Sequence, residues 1–226
     1  MTEIDGIVLK GPAYALSISD ASLPDQMEER AEILQLLSET SGRMLFVRVR
    51  DDAMDSRMMM DAVSAAARLG LGLVLESPVL SNLEEAVGCL GGRRPLLSSP
   101  DGDQNALVEL AAKTGCPVTI SSCDVGELRE LSAKAASLGC SDILLDPNAM
   151  SMKGCLESNT RIMRSIETGE ISEAPICTRG WSGEYALAVS TVSLFSGGSL
   201  MILDDLDIEA CSILDAVIRN LPTRIG

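Results

Sequence analysis

The chain has no histidine in 226 residues. That removes a histidine general base, every Ser–His–Asp or Cys–His nucleophile arrangement and any His-containing zinc site. Aromatic side chains are almost as scarce. Tyr14, Phe46, Trp181, Tyr185 and Phe195 are all there are, so the core must be built from Leu, Ile, Val, Met and Ala. No C-x2-C pair occurs among the seven cysteines (89, 116, 123, 140, 155, 177 and 211). Structural zinc and iron–sulfur sites use tighter clusters, so buried free thiols are expected. Metal ligands are not expected.

Runs of Lys or Arg are missing too, against a formal charge of -15 from 33 acidic and 18 basic residues. Such a surface repels nucleic acid and anionic membranes, so neither is expected as a partner. It suits a well-solvated protein surface, or attraction to a basic partner. With no secretory signal and no long apolar run, a cytoplasmic location is expected. Neither G-x-x-x-x-G-K-[ST] nor G-x-G-x-x-G is present to indicate a nucleotide.

Apolar residues make up 46% of the chain, enough for a substantial core. No linker or low-complexity segment interrupts it. A single domain over residues 1–226 is expected, with 1–12 as a lead-in that forms an extra strand or a barrel floor around Gly6–Lys10. Tyr14–Ser19 reads as the first core strand. Met27, Ala31, Leu34 and Leu37 then fall on one face of a helix. Met44–Val49 is the second strand, and Met59, Ala62, Val63 and Ala66 form the buried face of the next helix. Leu71–Leu75, Pro95–Leu97, Val118–Ile120, Ile143–Leu145, Pro175–Cys177 and Leu200–Leu203 continue the strands. Helices are expected over Asn82–Gly88, Gln104–Thr114, Val125–Leu138, Leu156–Glu167, Ala186–Phe195 and Ile208–Leu221. Eight strand–helix units with apolar strand centres predict an α/β protein, a compact (βα)8 TIM-type barrel. An open doubly wound sheet is the alternative.

In a barrel, ligands meet the loops after the strands. The polar residues there are Asp20, Arg50, Asp51, Glu76, Ser98, Ser99, Ser121, Asp146, Asn148, Thr178, Arg179, Asp204 and Asp205, with Asn105 at the start of a following helix. Asp146-Pro147-Asn148 is the leading cluster. Its carboxylate and amide could accept and donate hydrogen bonds to a heterocycle, or simply brace the turn. Glu76 could hold Arg50 or Arg179 in a bracket. Asp204 and Asp205 point oppositely, one to the mouth and one to cap the last helix. Gly197-Gly198 reads as a helix stop and turn. Gly180-Trp181-Ser182-Gly183 offers close approach, with Trp181 stacking on a flat ligand or acting as an anchor. Cys177 is a weak nucleophile, since nothing nearby lowers its pKa.

Four ordered segments carry a resemblance. R-P-L-L from Arg94 with Asn105 beyond it, G-C-P-V at Gly115–Val118, D-I-L-L-D-P at Asp142–Pro147 and M-I-L-D-D at Met201–Asp205 resemble the barrel domain of corrinoid iron–sulfur protein subunits. These belong to acetyl-CoA decarbonylase/synthase (CO dehydrogenase) systems and are related to pterin-binding methyltransferases. The resemblance implies a pterin-binding-like barrel acting in corrinoid-linked methyl transfer. By the resemblance, Asp146 and Asn148 correspond to the strand-six mouth motif, Asn105 to the polar start after strand four, and Asp204 and Asp205 to the strand-eight motif. Together with the strand-end positions, Asp146 and Asn148 are the candidate catalytic residues, and Glu76, Ser98, Asn105, Ser121, Arg179 and Asp204 the candidate cofactor-binding residues. The family's cysteine-rich segment and corrinoid domain have no counterpart in this sequence, nor is there a histidine to ligate cobalt. The expectation is therefore that no cofactor is carried intrinsically, and that a partner supplies a corrinoid or tetrahydropterin. That partner would be a corrinoid-binding protein or a methyltransferase, with a homo-oligomer as a further option. Three roles follow: a component that caps or docks onto a separate corrinoid protein, a methyltetrahydropterin-binding methyltransferase, or a non-catalytic structural barrel.

Overall fold

A computed structural model describes residues 2–149, 151–181 and 184–221, without the side chains of residues 180, 181 and 184. The chain opens with a short hairpin, β1 (Glu3–Ile4) and β2 (Ile7–Val8), paired antiparallel. Its turn places Asp5 and Gly6 at φ 52° and 82°, the left-handed pair that a tight two-residue hairpin requires. Eight units follow: β3 (Ala13–Ser19), α1 (Pro24–Thr40), β4 (Met44–Arg50), α2 (Ser56–Ala67), β5 (Gly72–Glu76), α3 (Leu80–Cys89), β6 (Leu96–Ser98) and α4 (Gln104–Thr114). They continue as β7 (Val118–Ser121), α5 (Val125–Ser137), β8 (Ile143–Asp146), α6 (Met152–Glu167), β9 (Ile176–Trp181), α7 (Glu184–Phe195), β10 (Gly198–Leu203) and α8 (Ile208–Arg219). Strands β3 to β10 close into a parallel barrel in chain order, β9 pairing with β10 and β10 with β3. The open-sheet alternative is thereby excluded.

The barrel has two apolar compartments because side chains alternate along each strand. Outward residues such as Leu16, Val47, Leu73 and Leu145 pack against the helices, joined by the predicted faces of α1 and α2, all buried. Inward residues Ala15, Phe46, Val74, Leu96, Leu144, Cys177 and Ile202 fill the barrel itself. Ile4 of the hairpin joins this inner set at 0% exposure and closes the barrel's lower end. The lead-in is a floor, and it starts at Glu3 rather than Gly6. The hairpin is pinned there: Glu3 N donates to Asp142 Oδ1 at 2.9 Å, and Arg93 pairs with Asp5. Asp142 is held below the usual carboxylate range. Burial alone would raise it, but donors from Glu3, Ser141 and Arg94 outweigh that. Gly72 leaves room for Phe46, whose ring would lie 2.5 Å from an added Cβ.

Three expectations about element ends need correction. Strand β9 runs on to Trp181, four residues past Cys177, so Thr178 and Arg179 belong to the strand rather than to the loop after it. Helix α6 begins at Met152, four residues before Leu156, because Ser151 caps it by accepting from Gly154 N. Gly198 is the first residue of β10 rather than part of the stop. A Cβ there would fall 2.0 Å from Ser193 Oγ and 3.0 Å from the Ser193 carbonyl oxygen, so any larger residue would force α7 to shift.

Candidate functional site

Every barrel strand brings a polar residue to the mouth: Ser17, Arg48 with Arg50, Glu76, Ser98, Ser121, Asp146, Arg179 and, just past β10, Asp204. Most of these groups are neighbours in one hydrogen-bonded network. Arg179 is its centre. Its Nε donates to Asp146 Oδ2, its Nη1 lies 3.5 Å from Glu76 Oε2, and its Nη2 donates to Asn148 Oδ1 at 3.2 Å. Ser121 Oγ also donates to Asp146 Oδ2 at 3.0 Å, and Asn148 N donates to Asp146 Oδ1 at 2.8 Å. Asn148 adopts φ 47°, a conformation that asparagine tolerates, so the turn folds its amide back over the carboxylate. Asp146 is only 1% exposed.

Arg48 is the second centre. Its Nε donates to Ser17 Oγ at 2.8 Å and its Nη1 to Glu76 Oε1 at 3.2 Å, while Nη2 pairs with Asp204. Arg50 completes the ring by donating to Asp204 Oδ1 at 3.0 Å and Asp52 Oδ1 at 2.8 Å. Glu76 thus bridges Arg48 and Arg179, not Arg50. Burial alone would lower the Arg179 pKa, but the Asp146 and Glu76 carboxylates overcome it and hold the guanidinium above its ordinary value. Three arginines, Arg48, Arg50 and Arg179, are thus paired with four carboxylates, Asp52, Glu76, Asp146 and Asp204. The bottom of the mouth is electrically self-satisfied.

Other expected site residues lie elsewhere. Asn105 is exposed and turned outward, its Oδ1 accepting from Lys134 Nζ at 3.0 Å. Its neighbour Gln104 instead braces the strand ends, accepting from Ser121 N at 2.9 Å and donating to the Ser99 carbonyl. Thr178 points away from the mouth, 2.6 Å from Ser193 Oγ of α7. Asp205 does not cap α8. It pairs with Arg30 at 2.8 Å, and Asp207 is the cap, accepting from Ala210 N. Ser98 stays at the ring, 3.4 Å from Glu76 Oε2. Asp20 and Asp51 are buried under the adjoining loops. The stacking or anchoring role expected of Trp181 lies outside the described residues. Arg48 and Ser17 are not among the sequence candidates. A lone arginine inside the otherwise apolar run of β4 is the signal that could have found the first.

Around this ring lies an arc of exposed apolar side chains. Leu23 precedes α1, Met54 precedes α2, and Met152, Tyr185 and Ile208 stand in the first turns of α6, α7 and α8. Each is between 43% and 66% exposed. They follow β8, β9, β10, β3 and β4, five consecutive staves of the barrel. Among the described residues, no exposed large apolar side chain follows β5, β6 or β7 before the next helix. A cavity of about 230 Å³ lies where the two sides meet, between the loops after β4, β5 and β6, and is lined by Arg50, Asp52, Met54, Glu76, Pro78 and Asp101.

The donors present do not suit direct ligation of a corrinoid cobalt. There is no histidine, and Cys177 is fully enclosed, with burial pushing its thiol well above its ordinary value. Among the described residues, no group of three or more His, Cys, Asp or Glu is arranged to hold a metal ion. None of their helices is long and apolar enough to cross a membrane.

Comparison with known proteins gives the lineage. The chain is 30% identical over 158 residues to the corrinoid/iron-sulfur protein large subunit of Moorella thermoacetica, covering 67% of this chain and 35% of that protein. It is 27% identical over 148 residues to acetyl-CoA decarbonylase/synthase complex subunit gamma of Methanothermobacter thermautotrophicus, covering 63% and 32%. The chain thus spans about a third of the length of these curated relatives. Dihydropteroate synthase from Thermus thermophilus superposes with a TM-score of 0.73 at 16% identity, over 96% of both chains. The Xanthomonas albilineans dihydropteroate synthase in complex with 7,8-dihydropteroate gives 0.73 at 14% identity, over 97% of this chain and 99% of that one. At such identities these structures show the pterin-binding-like barrel fold alone. The family model described as CO dehydrogenase/acetyl-CoA synthase delta subunit matches residues 8–215, a span that includes all eight barrel strands, and the chain belongs to that family.

Proposed function

We propose that this protein serves corrinoid-linked one-carbon transfer by docking, mouth first, onto a separate corrinoid-carrying protein. The observation that carries this reading is the combination of an internally ion-paired barrel mouth with the exposed apolar arc around it. A polar floor whose charges already satisfy one another needs no ligand to do so. An arc of large apolar side chains on consecutive loops is the ordinary mark of a protein contact. The corrinoid is suggested by one relative, the corrinoid/iron-sulfur protein large subunit. On this reading Asp146, Asn148 and Arg179 act as the rigid base of the docking face, and the partner holds the corrinoid.

The barrel's likeness to dihydropteroate synthases supports a second reading, direct binding of a methyltetrahydropterin at Asp146. Three donors, Arg179, Ser121 and Asn148 N, already occupy the buried Asp146 carboxylate, so a heterocycle could reach it only by displacing part of that set. That exchange costs several charge-assisted hydrogen bonds, so the docking reading is preferred.

Two measurements separate the readings. Affinity capture with this chain as bait, read by corrinoid absorbance in the eluate, is expected to recover a corrinoid protein. Calorimetry with methyltetrahydrofolate or a tetrahydromethanopterin derivative is expected to give no heat that Asp146→Ala removes. An eluate without corrinoid would refute docking, and Asp146-dependent pterin heat would install the methyltransferase reading. Both results negative would leave a structural barrel.

A further inference from the structure

Asp20 and Asp51 stand at the ends of adjacent strands, β3 and β4, at 0% and 4% exposure. One oxygen of each is fully used. Asp20 Oδ1 accepts from the backbone N of Asp52 at 2.8 Å and of Ala53 at 2.9 Å. Asp51 Oδ2 accepts from Ser77 Oγ at 2.5 Å and Asn82 Nδ2 at 2.8 Å. The other oxygens, Asp20 Oδ2 and Asp51 Oδ1, are buried with no donor. Two orphaned carboxylate oxygens on neighbouring buried aspartates are not tolerable as two bare charges. The two side chains lie within hydrogen-bonding reach of one another, and the orphaned oxygens are accounted for when one proton lies between the carboxyls.

We propose that Asp20 and Asp51 share a single proton at neutral pH, and that this proton locks together the three successive mouth loops after β3, β4 and β5. The locked segment includes Asp52–Asp55 and so fixes Met54, which sits at φ 54° on the apolar arc. The proton-sharing claim rests on the two carboxyls alone and stands or falls independently of docking.

Among the described residues, no neighbouring charge substitutes for the proton, because each is engaged elsewhere. From β4, Arg50 turns to Asp52 and Asp204. From β5, Glu76 faces Arg48 and Arg179. Asp55 caps α2, Arg30 of α1 reaches Asp205, and α3 contributes the neutral Asn82 to the pair while its Glu85 accepts from Ser56. In keeping with this, burial first and Asp51 next raise the Asp20 pKa, against the lowering effect of the Ala53 and Asp52 N–H groups.

The sign of the pH effect follows by linkage. A raised folded pKa means the folded chain holds a proton that the unfolded chain has released above about pH 4. The stability that this proton supplies is complete below that unfolded value and is lost as pH rises toward the folded one. Within that window the folding constant falls by up to about tenfold per pH unit. Lacking histidine, the chain has few other groups to titrate between pH 5 and 8, so the signal is not masked.

Asp20→Asn supplies a permanent N–H in place of the shared proton and keeps the oxygen that accepts from Asp52 and Ala53. The test is carboxyl-carbon NMR of 13C-aspartate-labelled full-length protein, with urea unfolding from pH 5 to 8. The expected result is one aspartate carboxyl still protonated at pH 6 in the wild type and absent in Asp20→Asn, whose folding constant changes less with pH. Asp51→Asn is the second variant should the first fail to fold. If every aspartate titrates in the ordinary range, or if the variant's pH slope equals that of the wild type, the shared proton is disproved.

Discussion

Arg179→Met is expected to lower the unfolding free energy by about 3–5 kcal/mol, because it removes the cation from buried carboxylates and leaves them charged. The side chain is 10% exposed and Asp146 1%, so solvent screening relieves little of this cost. Methionine retains most of the volume, which confines the loss to charge and hydrogen bonds. Urea unfolding measures the loss. Asp146→Asn should cost less, since an amide oxygen still accepts from Asn148 N and Arg179 keeps Glu76. A loss below about 1 kcal/mol for Arg179→Met, the scale of exposed pairs, would mean that the network is solvated.

Arg48→Met is expected to destabilise by a similar amount, about 3–5 kcal/mol, for the same reason. The arginine is 2% exposed and holds Glu76, Asp204 and Ser17 at once. Arg48 and Arg179 share Glu76, so the double variant should depart from additivity by roughly 0.5–3 kcal/mol. Each single variant leaves Glu76 one guanidinium, and only the double strips both. Additive losses would show that the two halves of the ring are independent.

Arg48 also marks where the sequence stops being readable. The fold is legible because helix and strand periods leave clear apolar faces. Met27, Ala31, Leu34 and Leu37 of α1 are all buried, as are Met59, Ala62, Val63 and Ala66 of α2. Eight such units in order leave few arrangements beyond a barrel. The site is partly legible, since Glu76, Ser121, Asp146, Asn148, Arg179 and Asp204 all reach the mouth. What pattern cannot show is pairing. In the sequence Asp146 is equally a ligand acceptor and a turn brace, and only its contacts with Arg179, Ser121 and Asn148 N reveal how fully its oxygens are engaged. Arg48 escapes notice because it lies inside the strand and not at its end, yet two-residue alternation aims Arg48 and Arg50 to the same side. Asn105 and Gln104 are adjacent on a helix start, and the turn of the helix, not composition, decides which reaches inward. Asp205 and Asp207 are an analogous pair, either one a plausible cap until the backbone is seen.

Docking through the apolar arc is the central claim. It is tested most directly by titrating a purified corrinoid-carrying partner against wild-type protein and against Met54→Asp/Tyr185→Asp. Both substitutions sit on exposed positions, and neither side chain takes part in the ion pairs of the ring, although Met54 borders the cavity beside Arg50 and Glu76. If these side chains are anchors of the contact, each is worth about 2 kcal/mol, so even one lost anchor weakens Kd about 30-fold while the unfolding midpoint stays put. Equal affinity for the two proteins would contradict the account.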